Sequence, residues 1–266
     1  MLASDLDDLL ALASRLARDA STLLVQGLGR IRSDVGTKST DTDMVTEMDR
    51  ASERLIVDGL RRARPADGVL GEEGTSTAGA SGVLWVVDPI DGTTNYLYGH
   101  PGFAVSLAAE VDGEPTLAVV ADPLHRDEFT AIKGRGAWRN GAAIAPSGET
   151  KLETALVATG FSYESERRRR QAQVLAQVLP LVRDVRRMGA ASIDLCWVAC
   201  GRVDAYYERG LQRWDLAAGA LVAAEAGARV GDLDGGPASG GFALASAPAI
   251  FEPLRDLLRS AAAAEA

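Results

Sequence analysis

The stretch Trp85-Val86-Val87-Asp88-Pro89-Ile90-Asp91-Gly92-Thr93-Thr94-Asn95 constrains the chain more than any other. An apolar run that reads as a strand over 83–88 ends on two carboxylates three residues apart. A glycine and two hydroxyl residues follow at once. Acid groups therefore collect at a strand's end, beside unpaired backbone N–H groups where the next segment begins. A divalent cation suits the first and a phosphate suits the second. The plainer alternative is a turn at Asp91-Gly92 capped by threonine, which leaves the preceding acids unexplained.

The chain of 266 residues is long enough for one large domain or two modest ones. Its net charge of −9 argues against a general nucleic-acid or anionic-membrane surface, because both need a basic footprint. A phosphate-bearing small-molecule substrate is still admissible, since divalent cations reverse the local charge of clustered carboxylates. Cys196 and Cys200, four apart in an apolar segment, read as buried free thiols, not as a disulfide or redox pair. The N-terminus lacks a basic start leading into an apolar core, and no apolar run reaches spanning length. A cytoplasmic setting is expected.

Apolar spacing predicts a helix over 2–31, a polar loop from Lys38 to Asp49, and a second helix from Asp49 to Arg64, ended by Pro65. Strands are expected at 68–71, 83–88, 103–111, 116–121 and 127–133, with hairpin turns at Gly134-Arg135-Gly136 and Asn140-Gly141. The texture changes at Pro146-Ser147-Gly148. Beyond it, strands near 154–159, 185–188, 203–207, 228–230 and 242–246 alternate with helices near 165–183, 191–201, 214–227 and 249–261. The expected organisation is an α+β N-terminal half over 1–146 and an α/β half over 147–266.

Acidic residues gather at four places: Asp41, Asp43 and Asp49; Glu72-Glu73 between glycines; Asp88 with Asp91; and Asp215 after Trp214. Taken singly, an Asp at a helix start is an N-cap and a Glu pair is solvated surface. Together they are like charges held at element ends, a costly arrangement unless cations neutralise them. Carboxylates without a partnering His or Cys set favour Mg²⁺ over Zn²⁺. His100 and His125 lack the paired spacing of a transition-metal site and are read as turn or surface residues.

Three segments together resemble the signatures of the inositol monophosphatase family: Gly71-Glu72-Glu73-Gly74, Asp88 to Asn95, and Trp214-Asp215-Leu216-Ala217-Ala218-Gly219 with Glu225-Ala226-Gly227. Lys38 to Asp49 is similar to the family's N-terminal metal-site loop, and the match runs in order from about residue 5 to 258. The resemblance implies a layered αβαβα sandwich and a lithium-sensitive, Mg²⁺-dependent phosphatase with two or three metals, usually homodimeric. Glu72, Asp88 and the Ile90 carbonyl would hold the first Mg²⁺; Asp88, Asp91 and Asp215 would hold the second. Glu73 and Asp43 would support the cluster. Asp49 would hydrogen-bond Thr93, orienting the attacking water, and Gly92, Thr93 and Thr94 would receive the phosphate.

The resemblance also implies inositol 1-phosphate as substrate, with Gly189, the Ala191 N–H and the Glu208 carboxylate at the ring. Histidinol phosphate, fructose 1,6-bisphosphate or a 3′-phosphonucleotide are the alternative substrates, and a catalytically dead binding homologue is the alternative class. Gln212 stands where the family often has His, and the loop 231–241 is rich in glycine. The run Arg167 to Arg170 reads as a solvated helix face or as an anion contact.

Overall fold

A computed structural model describes residues 3–31 and 41–266. The amphipathic N-terminal stretch forms helix α1 (Ala3–Ile31), against which α2 (Asp41–Ala63) packs. Polar residues 41–49 are thus helix, not loop, while 32–40 lie outside the described residues. Tertiary contact explains the correction: Met48 meets α1 at Gly27, so the apolar stripe of α2 continues upstream of Ser52 and Ile56.

Strands β1 (Gly68–Gly71), β2 (Ser76–Thr77) and β3 (Val83–Asp91) precede the short helix α3 (Thr93–Leu97). Then come β4 (Ala104–Val111), β5 (Glu114–Asp122), β6 (Asp127–Ile132), β7 (Gly136–Arg139) and β8 (Ala142–Ala143). They make one sheet in the order β2-β1-β3-β4-β5-β6-β7-β8, antiparallel throughout except for the parallel β1–β3 pair. The hairpin turns fall where glycine takes positive φ, at Gly134 and Gly141 among others.

The rest of the chain runs β9 (Leu156–Thr159), α4 (Ser165–Val178), β10 (Asp184–Arg186), α5 (Ala191–Ala199), β11 (Ala205–Glu208) and α6 (Arg213–Glu225). β12 (Arg229–Gly231), β13 (Ala243–Ser246) and α7 (Phe251–Ser260) complete it. The second sheet is ordered β10-β9-β11-β13-β12. Helix α4 stops short of the expected residue 183 because Pro180 interrupts it, and the chain turns through a single 3-10 turn at Leu179–Leu181.

Side-chain alternation in the first sheet builds the layers. Trp85, Val87, Val105, Leu107, Leu117 and Val119 face α1 and α2. Val86, Ala104, Ala108, Ala118 and Val120 face α5 and α6, which are buried between the two sheets. Those two helices are apolar on nearly every side, as a doubly covered helix must be. They pack closely because Gly219 leaves room for Leu195. On the outer face of the second sheet, α4 and α7 bury Val174, Val178, Phe251, Leu254 and Leu258 against β9, β11 and β13. The order of layers is helix, sheet, helix, sheet, helix: an α/β layered fold. Among the described residues, no helix is long and apolar enough to cross a membrane.

Candidate metal and phosphate site

Asp88 and Asp91 sit at the end of β3, where a regular strand would send residues three apart to opposite faces. The β3–β4 register shifts between them, and that bulge turns both carboxylates to the same side. Asp215, in the first turn of α6, completes a cluster: one carboxylate oxygen from each of Asp88, Asp91 and Asp215 lies within 4.8 Å of the other two. Asp215 also accepts the Gln212 N–H at 2.6 Å, closing a capping box at the start of α6. The helix-cap reading and the ligand reading of this residue are therefore compatible. Asp91 Oδ2 accepts both the Ser192 N–H, at 2.7 Å, and the Ser192 hydroxyl, at 2.5 Å, at the start of α5.

Glu72 stands on the turn after β1, its N–H donating to Val87 O at 3.2 Å, so its backbone is tied beside Asp88. Glu73 is half-buried, 3.8 Å from Arg50. Asp49 is buried on α2, and its Oδ1 has no hydrogen-bond partner among the described residues. The side chain of Asp43 lies outside the described residues. Thr93 spends its one hydroxyl proton on the Ile90 carbonyl, at 3.1 Å, so it makes no donation to Asp49 in this arrangement. The Ile90 N–H in turn donates to Asp88 Oδ1 at 3.0 Å.

The charge state of these acids follows from their surroundings. Burial pushes Asp88 well above the usual carboxylate range, with Glu72, Asp91 and Asp215 adding repulsion. Burial and Asp215 lift Asp91 to about 7 against the pull of Ser192. Asp49 rises to about 8 through burial and then repulsion from Glu73, Glu72 and Glu53. Glu72 keeps surface in water, yet the protein around its carboxylate and its acidic neighbours lift it to about 7. Asp215 is raised by burial as well. A clustered, all-oxygen donor set whose central acids Asp88 and Asp91 are buried fits hard divalent cations, which would relieve both the repulsion and the desolvation.

Gly92 holds the junction between the acids and α3. Its φ is 92°, and a Cβ there would stand 2.7 Å from Gly102 O and 3.2 Å from Gly189 O. Gly92→Ala is expected to lower stability by about 2–3 kcal/mol in urea denaturation and to take most activity with it. Helix α3 is tied down on two sides. The Tyr96 hydroxyl donates to Leu24 O at 2.9 Å, and Asn95 Nδ2 donates to Gly102 O and Met188 O at 2.6 and 2.7 Å.

A cleft of about 270 Å³ opens over the cluster. Glu72, Asp88, Ile90, Asp91, Gly92, Thr93 and Asp215 line it together with Gly189, Ala191 and Glu208. Thr94 lies at the rim, its Oγ1 3.2 Å from the exposed Tyr163 hydroxyl. Glu208 accepts the Tyr206 hydroxyl at 2.6 Å, and Gly160 leaves space for its carboxylate. Burial raises Glu208, while Tyr206, Arg187 and Arg167 oppose that shift.

Several residues at the site escaped the sequence reading. Arg187 and Tyr163 carry no motif that marks them; Ser192 ends the segment from Met188 that resembles the family's ring-contacting stretch, but nothing in that resemblance marks its bonds to Asp91. Glu53 had a signal: it falls four residues after Asp49, on the same face of α2. Of the arginine run, Arg167 packs over Gly210 at the cleft, Arg168 donates to Tyr163 O, Arg169 pairs with Glu166, and Arg170 donates to Glu265 O. Glu225 accepts the Gly134 and Gly136 N–H groups, so it clamps the β6–β7 turn and is remote from the cleft. Cys196 and Cys200 are free thiols. His100 contacts Pro101 O, and His125 pairs with Asp122.

The model of the inositol monophosphatase family matches residues 5–264. Inositol-1-monophosphatase SuhB of Mycobacterium tuberculosis is 45% identical over 265 residues, covering 92% of this chain and 91% of that protein. A Pseudomonas aeruginosa relative named Nus factor SuhB is 44% identical, covering 85% of this chain and 86% of its own length. The solved structure of Mycobacterium tuberculosis SuhB superposes with a TM-score of 0.83 at 42% identity, covering 96% of this chain and 97% of that one. The chain belongs to the inositol monophosphatase family.

Proposed function

We propose that this protein is a Mg²⁺-dependent phosphomonoesterase that hydrolyses inositol 1-phosphate to inositol and phosphate. The observation that carries the reading is the Asp88–Asp91–Asp215 cluster in one cleft with Gly92, Thr93 and Glu208. Glu72, Asp88 and the Ile90 carbonyl would hold one ion, and Asp88, Asp91 and Asp215 another. Bound there, the ions supply a water of lowered pKa and Lewis-acid stabilisation of the transferred phosphoryl group. The backbone N–H groups at Gly92 to Thr94 face the phosphate oxygens. The family resemblance assigns Asp49 to orienting the attacking water and helping to deprotonate it, and Thr93 fixes the Ile90 carbonyl. Gly189 and Ala191 border the ring, and Glu208 accepts hydrogen bonds from its vicinal hydroxyls.

The name of the Mycobacterium tuberculosis relative supports the substrate, and the name of the Pseudomonas aeruginosa relative favours a role beyond hydrolysis. Glu72, Asp88, Asp91 and Asp215 in one cleft argue for turnover over a catalytically dead homologue. The reading includes a homodimer in a cytoplasmic setting and inhibition by Li⁺.

The test is kcat/KM for inositol 1-phosphate, histidinol phosphate, fructose 1,6-bisphosphate and a 3′-phosphonucleotide, with and without Mg²⁺. Inositol 1-phosphate should lead by about tenfold or more, and only with Mg²⁺. A higher value for any other substrate would overturn the assignment. Glu208→Gln should raise KM for inositol 1-phosphate about tenfold while changing that for p-nitrophenyl phosphate, which has no vicinal diol, less than about threefold.

A further inference from the structure

Glu53 is a buried carboxylate on α2, 4% exposed, that does not line the cleft. Its Oε2 accepts the Glu73 N–H at 2.9 Å. Its Oε1 accepts the Thr75 hydroxyl at 2.6 Å and the Thr75 N–H at 3.3 Å. Gly71 lies directly against the same carboxylate, and any side chain at that position would collide with it. Every one of these partners belongs to the turn between β1 and β2, the segment that carries Glu72 and Glu73. No other buried side chain grips that turn in the same way among the described residues.

We propose that Glu53 is a positioning residue for the cation site: it holds the Gly71–Thr75 turn so that Glu72 is presented to the Asp88 end of the cluster. The proposal rests on the metal-dependent reading of that cluster. Backbone bonds also hold the turn, from the Gly71 N–H to Thr75 O at 2.7 Å and from the Glu72 N–H to Val87 O at 3.2 Å, and Glu53 adds the buried side-chain grip. Glu72 keeps surface in water, Gly74 takes a φ of 104°, and β2 is only Ser76–Thr77. A carboxylate that accepts from successive parts of one turn fixes its backbone, because each bond removes a rotation that the turn would otherwise keep. The sequence spacing agrees: Asp49 and Glu53 stand one helical turn apart on one face of α2, and Glu53 lies beneath the neighbouring turn. Loss of the grip would remove no ligand residue and would weaken cation binding through disorder of Glu72.

The test is calorimetric titration of Mg²⁺ into the metal-free full chain, without substrate, on the wild type and on Glu53→Gln, Glu53→Asp and Thr75→Val. Glu53→Gln should raise the Kd of the tighter site about tenfold, and kcat at saturating Mg²⁺ should stay within about threefold of wild type. Glu53→Asp keeps the charge and withdraws the oxygens, so a positioning role predicts a loss close to that of Glu53→Gln. Thr75→Val removes one of the accepted bonds and should raise Kd about threefold. A purely structural role would lower the melting temperature and leave the Mg²⁺ Kd unchanged. Wild-type Mg²⁺ affinity in folded Glu53→Gln and Glu53→Asp would overturn the proposal. Full affinity in Glu53→Asp with loss in Glu53→Gln would overturn it too, in favour of a charge effect. If either Glu53 variant fails to fold, Thr75→Val decides, and an unchanged Kd there rejects the grip. Absence of Mg²⁺ binding in the wild type would instead reject the metallophosphatase reading on which the proposal stands.

Discussion

Asp91→Asn is expected to lower kcat/KM for inositol 1-phosphate by at least about 10³-fold while leaving the metal-free fold no less stable than wild type. The two halves of that outcome have one cause. Asp91 Oδ2 is saturated by the N–H and hydroxyl of Ser192, so an asparagine must turn its carbonyl oxygen that way to keep those bonds. Its NH₂ then points toward Asp88 and Asp215, where a cation has to sit, and repels the ion. Without a cation, however, the change relieves the protein. The wild-type carboxyl is buried, titrates near 7, and is repelled by Asp215 when charged. A neutral amide of similar shape removes that desolvation and repulsion. Steady-state kinetics paired with melting in EDTA gives both readings. Undiminished turnover would remove Asp91 from the chemistry, and a large loss of metal-free stability would show that its role is structural.

The acids were legible in the sequence because each one is anomalous for its local element. Asp88 and Asp91 close a strand-like apolar run, and Asp215 follows Trp214 at a helix start. Their convergence was not legible from local pattern, since it depends on a strand bulge and on α6 packing across the inner face of the first sheet. The family resemblance supplied that step. Secondary structure followed the hydrophobic period closely where one face is buried, as in α1, β4 and β5. It failed at 41–49, where Asp and Thr dominate and a contact with α1 decides the conformation. Tyr163, and the distant partners of Ser192 and Asn95, were beyond reach for another reason. A hydrogen bond between residues 101 apart, such as Ser192 to Asp91, leaves no trace in spacing. Nor does the 3.2 Å approach of Tyr163 to Thr94.

In EDTA the protein is expected to be more stable near about pH 5.5 than near about pH 8.5, by on the order of 3 kcal/mol or about 10 °C in Tm. The sign follows from the direction of the shifts. Asp49 and Asp91 move up on folding, from 3.8 to about 8 and about 7, and Glu72 moves from 4.5 to about 7. Between those limits the folded state binds more protons than the unfolded chain, so stability falls as pH rises. The contribution is fully present below the unfolded values, is lost progressively through the window from about 4 to about 8, and is absent above it. Because the groups repel one another, their separate shifts do not add, which keeps the expected total well below their sum. Mg²⁺ reverses the slope: its ligands must be deprotonated, so binding strengthens with pH and stabilises the folded state in proportion to the logarithm of [Mg²⁺]/Kd. Urea denaturation across this pH range, in EDTA and in about 10 mM Mg²⁺, measures both slopes. Asp49→Asn should flatten the EDTA curve without restoring activity, which separates the buried acids from the general repulsion of a chain with net charge −9. A wild-type EDTA profile that is flat from pH 5.5 to 8.5, or one that Asp49→Asn leaves unchanged, would mean that the cluster is solvated and neutralised without a cation, and the physical case for a metal in this cleft would fail with it.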